Sequence, residues 1–275
     1  MSRFKSGEHE GVKWVRVVAG WGNFKIKVFL YLLDGVLVDT GPTRLSSVLL
    51  PYFKQQKIEK VMLTHYHEDH SGNAPYLAGR GIPVYINPIS LERCRQRTRL
   101  PFYRYIVWGN REAFSPDPLD EKLTAGGLTW EPVFTPGHVF DHQVIYLPEK
   151  GILFTGDLFV TTRPKIILNT ESTPRIIEDL KTVLQYDFTT VFCSHAGIVH
   201  RGKEVLQKKL KYLEEIKGEV QHLHSQGRSV SEITRKLFPG KAPLEYISCK
   251  EWSPEHIVRS LVTGKPTVEN PRPQT

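Results

Sequence analysis

The stretch Thr64-His65-Tyr66-His67-Glu68-Asp69-His70 follows a short apolar run, Lys60-Val61-Met62-Leu63. It crowds three histidines and an aspartate into six residues. Imidazole and carboxylate together suit zinc, iron or manganese. A strand that ends in a loop can turn all four side chains toward one point, whereas a helix would spread them around its cylinder. The remaining ligands are then expected at other strand ends downstream. Three such ends are present. Val133 to His138 brings a histidine after a Pro-Gly turn, Ile152 to Asp157 brings an aspartate after a glycine, and Thr190 to Gly197 places His195 between small residues. In each, an apolar strand supplies rigidity and is followed by a turn or a small residue and then a candidate ligand.

Working outward, Val12–Ala19 and Phe24–Leu33 are rich in Val, Ile and aromatics and are predicted as two strands joined through Gly20-Trp21-Gly22-Asn23. Asp34-Gly35 turns into a third strand, Val36-Leu37-Val38, ahead of Asp39-Thr40-Gly41-Pro42. A helix is predicted from about Thr43 to Gln56, kinked or broken at Pro51. A strand at 82–86, a helix from Pro88 to about Thr98 capped by Asn87, strands at 128–135, 142–147, 151–155 and 190–194, and a helix at 173–185 follow. Beyond Gly202 the pattern becomes helical, at 204–225, 230–238 and 253–261, with Ser253-Pro254 as cap and first turn. The expected organisation is a catalytic domain over 1–203, a small helical domain over 204–264 with a winged-helix-like arrangement among its options, and a loose tail over 265–275.

Composition limits the function classes. At 275 residues, 40% hydrophobic and 24% charged, the chain matches an ordinary globular protein. No apolar run approaches the ~18 to 20 residues of a membrane helix, so no membrane partner is expected. Met1 to Glu8 lacks the apolar core of a signal peptide, and a cytoplasmic location is expected. Cys94, Cys193 and Cys249 are too few and too scattered for a disulfide frame, so any metal must be held by histidine and carboxylate. The net charge of +8 favours anionic partners only weakly. Between Glu92 and Arg111, six arginines alternate with Phe102, Tyr103, Tyr105 and Trp108. That stretch reads as a lid or anion-binding surface, or as a solvated helix whose arginine stems cover apolar neighbours.

As a set, His65-Tyr66-His67-Glu68-Asp69-His70, Thr135-Pro136-Gly137-His138, Thr155-Gly156-Asp157, Ser194-His195-Ala196-Gly197 and Val38-Asp39-Thr40-Gly41 resemble the metallo-β-lactamase superfamily over roughly residues 12–200. The resemblance implies an α+β fold, an αββα sandwich with metals at one edge, here followed by the small C-terminal helical appendage. It implies that His65, His67 and His138 hold one ion, that Asp69, His70 and His195 hold a second, and that Asp157 bridges them. Two Zn²⁺ ions are expected, with Fe or Mn as other options. Asp69 is the candidate for orienting the nucleophile and passing a proton to the leaving group. Asp39 is expected to hydrogen-bond a ligand loop, and His142 to support the ligands rather than bind metal. Arg163 and Lys165 offer positive charge beside the site, and His200 is a further candidate for facing the cleft.

The resulting expectation is a metallo-hydrolase acting on an ester or thioester, with a small anionic or thioester substrate and a homodimer allowed. The glyoxalase II-like and lactamase-like endoribonuclease branches share this ligand set. A phosphodiesterase cleaving nucleic acid is the alternative, supported by the arginine-aromatic stretch. An iron-dependent sulfur dioxygenase is a third reading.

Overall fold

The computed structural model describes residues 4–21, 24–240 and 243–269. Gly22 and Asn23 of the first hairpin turn, and residues 270–275 of the tail, lie outside them. Strands β1 (Phe4–His9), β2 (Val12–Trp21), β3 (Phe24–Leu33), β4 (Val36–Val38), β5 (Lys60–Met62), β6 (Val84–Ile86) and β7 (Asp117–Pro118) form one sheet in that order. Its first four strands are antiparallel neighbours, and its last four run parallel. A second sheet has the order β14-β13-β11-β10-β9-β8. Its strands are β8 (Leu123–Ala125), β9 (Leu128–Phe134), β10 (Gln143–Leu147), β11 (Ile152–Gly156), β13 (Thr190–Cys193) and β14 (Gly197–Val199). The short β12 (Ile167–Leu168) pairs with β15 (Trp252–Ser253).

The two-residue side-chain period of the strands sorts the core into three apolar layers. Tyr31, Leu33, Met62, Trp130, Ile152, Phe154 and Phe192 fill the space between the sheets. Their sequence neighbours point outward. Leu30, Leu32, Val61 and Leu63 pack under helices α1 (Ser46–Gln55), α3 (Ala74–Ala78), α4 (Leu91–Cys94) and α5 (Phe102–Trp108), which follow or flank the one-turn α2 (Glu68–Ser71). Val144, Leu153 and Val191 pack under α6 (Thr173–Val183), α7 (Gly202–Ser225), α8 (Val230–Leu237) and α10 (Pro254–Thr263), with the short α9 (Pro243–Ile247) between the last two. The order of layers is therefore helix, sheet, sheet, helix, the predicted αββα sandwich.

Several local expectations change. Pro51 does not end α1, which runs to Gln55. The segment predicted as one helix over 88–98 is a single 3-10 turn, Pro88–Ser90, leading into α4; Asn87 caps it by accepting from the Ile89 amide. The predicted strand at 142–147 begins at Gln143, because the His142 amide is drawn into the preceding turn, donating to the Val139 carbonyl. In the C-terminal helices, Leu206, Leu213 and Val220 of α7 share one buried cluster with Val191 of the second sheet. That segment's strand β15 pairs with β12, which precedes α6. The tail is tied as far as Val268, whose amide donates to the Asn169 carbonyl, while Thr267 Oγ1 lies 2.8 Å from His256 Nδ1.

Candidate metal centre

The seven residues expected to bind metal converge at one edge of the sandwich, beyond the ends of β5, β9, β11 and β13. Residues 64–70 are half extended and half helical. His65 and His67, two residues apart, leave the chain on the same side. The chain then closes into α2, with the His70 and Ser71 amides donating to the His67 carbonyl, and this turn brings Asp69 and His70 round to the same point. The helix that sequence reasoning set aside is thus part of the device, because a single turn redirects side chains without dispersing them.

Two glycines are required for close approach. Gly156 has a positive φ of 48°, and a Cβ there would lie 2.7 Å from His142 Nε2. At Gly137 a Cβ would lie 2.6 Å from both Asp179 Oδ2 and the Ile176 amide nitrogen. Each stands immediately before a candidate ligand, Asp157 or His138.

The distances define two donor groups. His65 Nε2 and His138 Nε2 lie 3.0 and 3.1 Å from His67 Nδ1. Asp157 Oδ1 lies 3.3 Å from His70 Nε2 and 3.2 Å from His195 Nε2, and Asp157 Oδ2 lies 3.5 Å from His138 Nε2. Asp69 Oδ2 is 3.6 Å from His70 Nε2 and 3.4 Å from His195 Nε2. Asp157 therefore stands between the groups, one oxygen toward each.

The far side of each imidazole shows what these donors lack. His70 Nδ1 lies 2.7 Å from Asp39 Oδ2, His195 Nδ1 lies 2.7 Å from the Lys27 carbonyl, and His138 Nδ1 lies 3.1 Å from Glu171 Oε1. Each partner is an acceptor, so each Nδ1 carries a proton and each Nε2 is turned to the centre. Those Nε2 atoms face one another and two carboxylates. His70 Nε2 and Asp157 Oδ1 are buried without a hydrogen-bond partner. Divalent cations satisfy such a set of nitrogen and oxygen donors.

The electrostatics follow each ring's partner rather than its group: burial opposes charge on His138, yet its contact with Glu171 holds it above the usual histidine range. Burial, reinforced by neighbouring cationic groups, pushes His65 and His67 well below the usual histidine range. Burial also opposes charge on His195 and His70, yet the facing carboxylates, Asp157 for His195 and Asp39 for His70, hold both well above it. Asp157 is likewise buried, and His195 and His70 hold its carboxyl well below the ordinary aspartate range. In the absence of an ion, protons are the only cations that can relieve the second group.

Asp39 occupies a left-handed backbone conformation, φ 60°, which aspartate tolerates better than most residues. From there its carboxylate accepts from the Thr64 amide, the Thr64 hydroxyl and Ser194 Oγ as well as from His70. His142 is fully buried and does not join the donors. Its Nε2 accepts from the Asp157 amide at 3.1 Å and its Nδ1 donates to the Thr135 carbonyl, which fixes the backbone before β11 turns. Burial lowers its pKa to about 3, so it stays neutral and able to accept.

Other expectations are corrected here. His200 is exposed and packs edge-on against His9, with ring centroids 5.0 Å apart; it does not line the cleft. Arg163 lies in a separate shallow depression with Lys208 and Lys211, whereas Lys165 does reach the rim of the cavity above the cluster. Three sets of contacts left no mark in the sequence. Glu171 orients His138 from 33 positions away. Lys209 of α7 donates from Nζ to the Leu158 carbonyl at 2.6 Å, one residue past Asp157. Glu68 pairs with Arg104 at 2.6 Å, and Arg104 pairs with Glu251 at 3.0 Å, joining α2, α5 and the C-terminal segment. Glu68 lay in the quoted stretch, but nothing in its spacing pointed to an arginine on another helix.

Residues 29–195, more than half of the chain, match the family described as the metallo-beta-lactamase superfamily. The chain belongs to the metallo-beta-lactamase superfamily. It is 33% identical over 44% of its length to the lactamase-like protein adaB of Aspergillus niger, of which the match spans 34%. It is 25% identical over 64% of its length to a protein of Aspergillus fumigatus named atrochrysone carboxyl ACP thioesterase, of which the match spans 52%. The chain thus spans about a third to a half of the length of these two curated relatives. The fold is similar to that of a metallo-beta-lactamase family protein from Thermus thermophilus, with a TM-score of 0.66, 18% identity and 91% of each chain covered. Among the described residues no helix is long and apolar enough to cross a membrane.

Proposed function

We propose that this superfamily member is a metal-dependent hydrolase of a small ester or thioester. In this reading His65, His67 and His138 hold one divalent ion, Asp69, His70 and His195 hold a second, and Asp157 lies between them. The observation that carries it is the convergence of imidazole nitrogens and carboxylate oxygens at the floor of a cavity. Zinc suits this nitrogen and oxygen set, and iron or manganese suit the same donors. Bound ions would supply an acidified water near neutral pH and polarise the acyl oxygen.

The rest falls to the chain. Asp69 lines the cavity, where its carboxylate takes a proton from the attacking water and delivers it to the leaving sulfur or oxygen. Asp39, Glu171 and the Lys27 carbonyl hold His70, His138 and His195 in the tautomer that offers Nε2. Residues 1–203 supply the reacting groups, and residues 204–264 complete the cavity. The thioesterase name of one relative supports the thioester option. The phosphodiesterase alternative loses ground, because Arg104 and Arg111 are committed inside the protein and Arg93 lies 4.3 Å from the Tyr66 ring centroid.

The test is a screen of metal-loaded protein against thioesters, lactones, phosphodiesters and short RNA, with metal content counted and His67→Ala as blank. Two zinc ions and turnover of a thioester or ester, lost in the blank, are expected. Equal activity in the blank overturns the metal reading. One iron with oxygen uptake moves the protein to oxidoreduction. If Asp69→Asn keeps both ions and near-normal turnover, the proton role falls.

A further inference from the structure

The cavity above the donor cluster encloses about 320 Å³, at the low end of the roughly 300–1,000 Å³ of small-molecule sites. Its floor is polar, with His67, Asp69, His138, Asp157 and His195. Its walls are not. Val107 and Trp108 of α5, Ile166 ahead of β12, Leu213 of α7, Trp252 of β15 and Ile257 of α10 all face it. These side chains come from segments far apart in sequence, and apolar surface kept against a cavity forgoes the contacts a packed core would give it. An apolar ligand restores them.

The cations that reach this wall are already engaged. Arg104 is held by Glu68 and Glu251, and Lys209 donates to the Leu158 carbonyl. Lys165 is exposed and stands with Val160 and Thr161, also exposed, at the mouth. The interior thus offers shape and apolar area rather than a counter-charge, which does not suit an anionic acyl group.

We propose that this wall is an acyl pocket: it receives the uncharged, apolar acyl group of an ester or thioester, the scissile carbonyl lying at the polar floor and the leaving thiol or alcohol pointing to the mouth. The proposal rests on the hydrolase reading above. The reaction is addition of water across the acyl C–S or C–O bond. A hydroxyl joins the carbonyl carbon, that bond breaks with its electron pair going to sulfur or oxygen, and the leaving group takes up the proton.

The experiment uses the zinc-loaded full chain and acetyl, butyryl, hexanoyl and octanoyl thioesters of one thiol. kcat/KM is expected to rise about fourfold per methylene until the cavity is filled. Ile166→Glu, at a half-buried wall position, is expected to lower kcat/KM for the octanoyl ester at least about tenfold more than for the acetyl ester. Calorimetry on metal-free protein gives a second readout: octanamide binds more tightly than acetamide, with a negative heat-capacity change, and Ile166→Glu weakens it. Equal kcat/KM along the series with no preference for octanamide overturns the acyl pocket and leaves the hydrolase reading standing. Hydrolysis of no member by fully metal-loaded protein overturns both.

Discussion

Residues 64–70 and residues 92–111 both crowd ionisable side chains, and the fold uses them in opposite ways. In the first, His65, His67, Asp69 and His70 turn to one point and meet His138, Asp157 and His195 there. In the second, the arginines disperse. Arg93 lies over the Tyr66 ring, Arg104 is partly buried between Glu68 and Glu251, and Arg111 is fully buried with its guanidinium donating to the carbonyls of Cys94, Glu112 and Arg93. Arg95 and Arg97 remain outside, paired with Glu92 and Glu112. The difference lies in the scaffold. Strand ends and one tight turn aim successive side chains at a common point. Short helices and loops send them in different directions, so each long arginine finds its own partner.

The contrast can be broken at either end. The largest effect is expected from Asp157→Ala in the converging set. Losing the carboxylate between the two donor groups should lower turnover by about 10² to 10³-fold, with metal content falling in the same sample. Turnover within tenfold of the parent would remove Asp157 from the centre. In the dispersed set, Arg104→Ala leaves Glu68 buried and unpaired, and a loss of about 3–5 kcal/mol is expected in denaturant unfolding. A loss under 1 kcal/mol would show that the ion triad does not brace α2.

Smaller effects should come from groups one contact removed. Asp39→Asn weakens the acceptor on His70 Nδ1, and metal affinity measured by chelator competition should fall about 10 to 100-fold. Unchanged affinity would make Asp39 a turn residue only. Burial lifts the Asp179 carboxyl to about 7 against the Gly137 amide and Arg175, which favour its ionised form. An unfolded aspartate releases its proton near pH ~4. Between those values the folded state binds more protons, so stability falls as pH rises through that window. Asp179→Asn should therefore flatten the stability profile from about pH 4 to 7; a parallel profile would mean the carboxyl is not strained. The smallest change belongs to Arg97→Ala, whose pair with Glu112 is solvent-exposed, with an expected shift within about 0.5 kcal/mol. A loss as large as that of Arg104→Ala would end the distinction between the two classes of arginine.

What was legible in the sequence was whatever repeats over a short span. The alternation Leu30-Tyr31-Leu32-Leu33 and Val61-Met62-Leu63 marks strands apolar on both faces, as a four-layer sandwich demands. The four strand ends that carry the candidate ligands were legible because each candidate follows its own strand within a few residues. The strand β1 was not, since its exposed polar residues are held by pairing with β2 rather than by burial. Nor could spacing reveal Glu171 on His138, Lys209 beside Asp157, or Glu251 on Arg104. Those contacts span tens to more than a hundred residues and leave no periodic trace.

The sequence by itself therefore marked where candidate donors stand, because strand geometry restricts their spacing, and the family resemblance grouped them. Only the tertiary structure decided which histidine nitrogen faces the centre, which of the nearby cations are free, and what kind of wall stands above the floor. Each of these depends on partners brought in by other segments: Lys27 of β3 behind His195, Glu68 and Glu251 around Arg104, Leu213 and Ile257 opposite Trp108. Hydrogen bonding and apolar packing act over a few ångströms in space, whatever the separation along the chain.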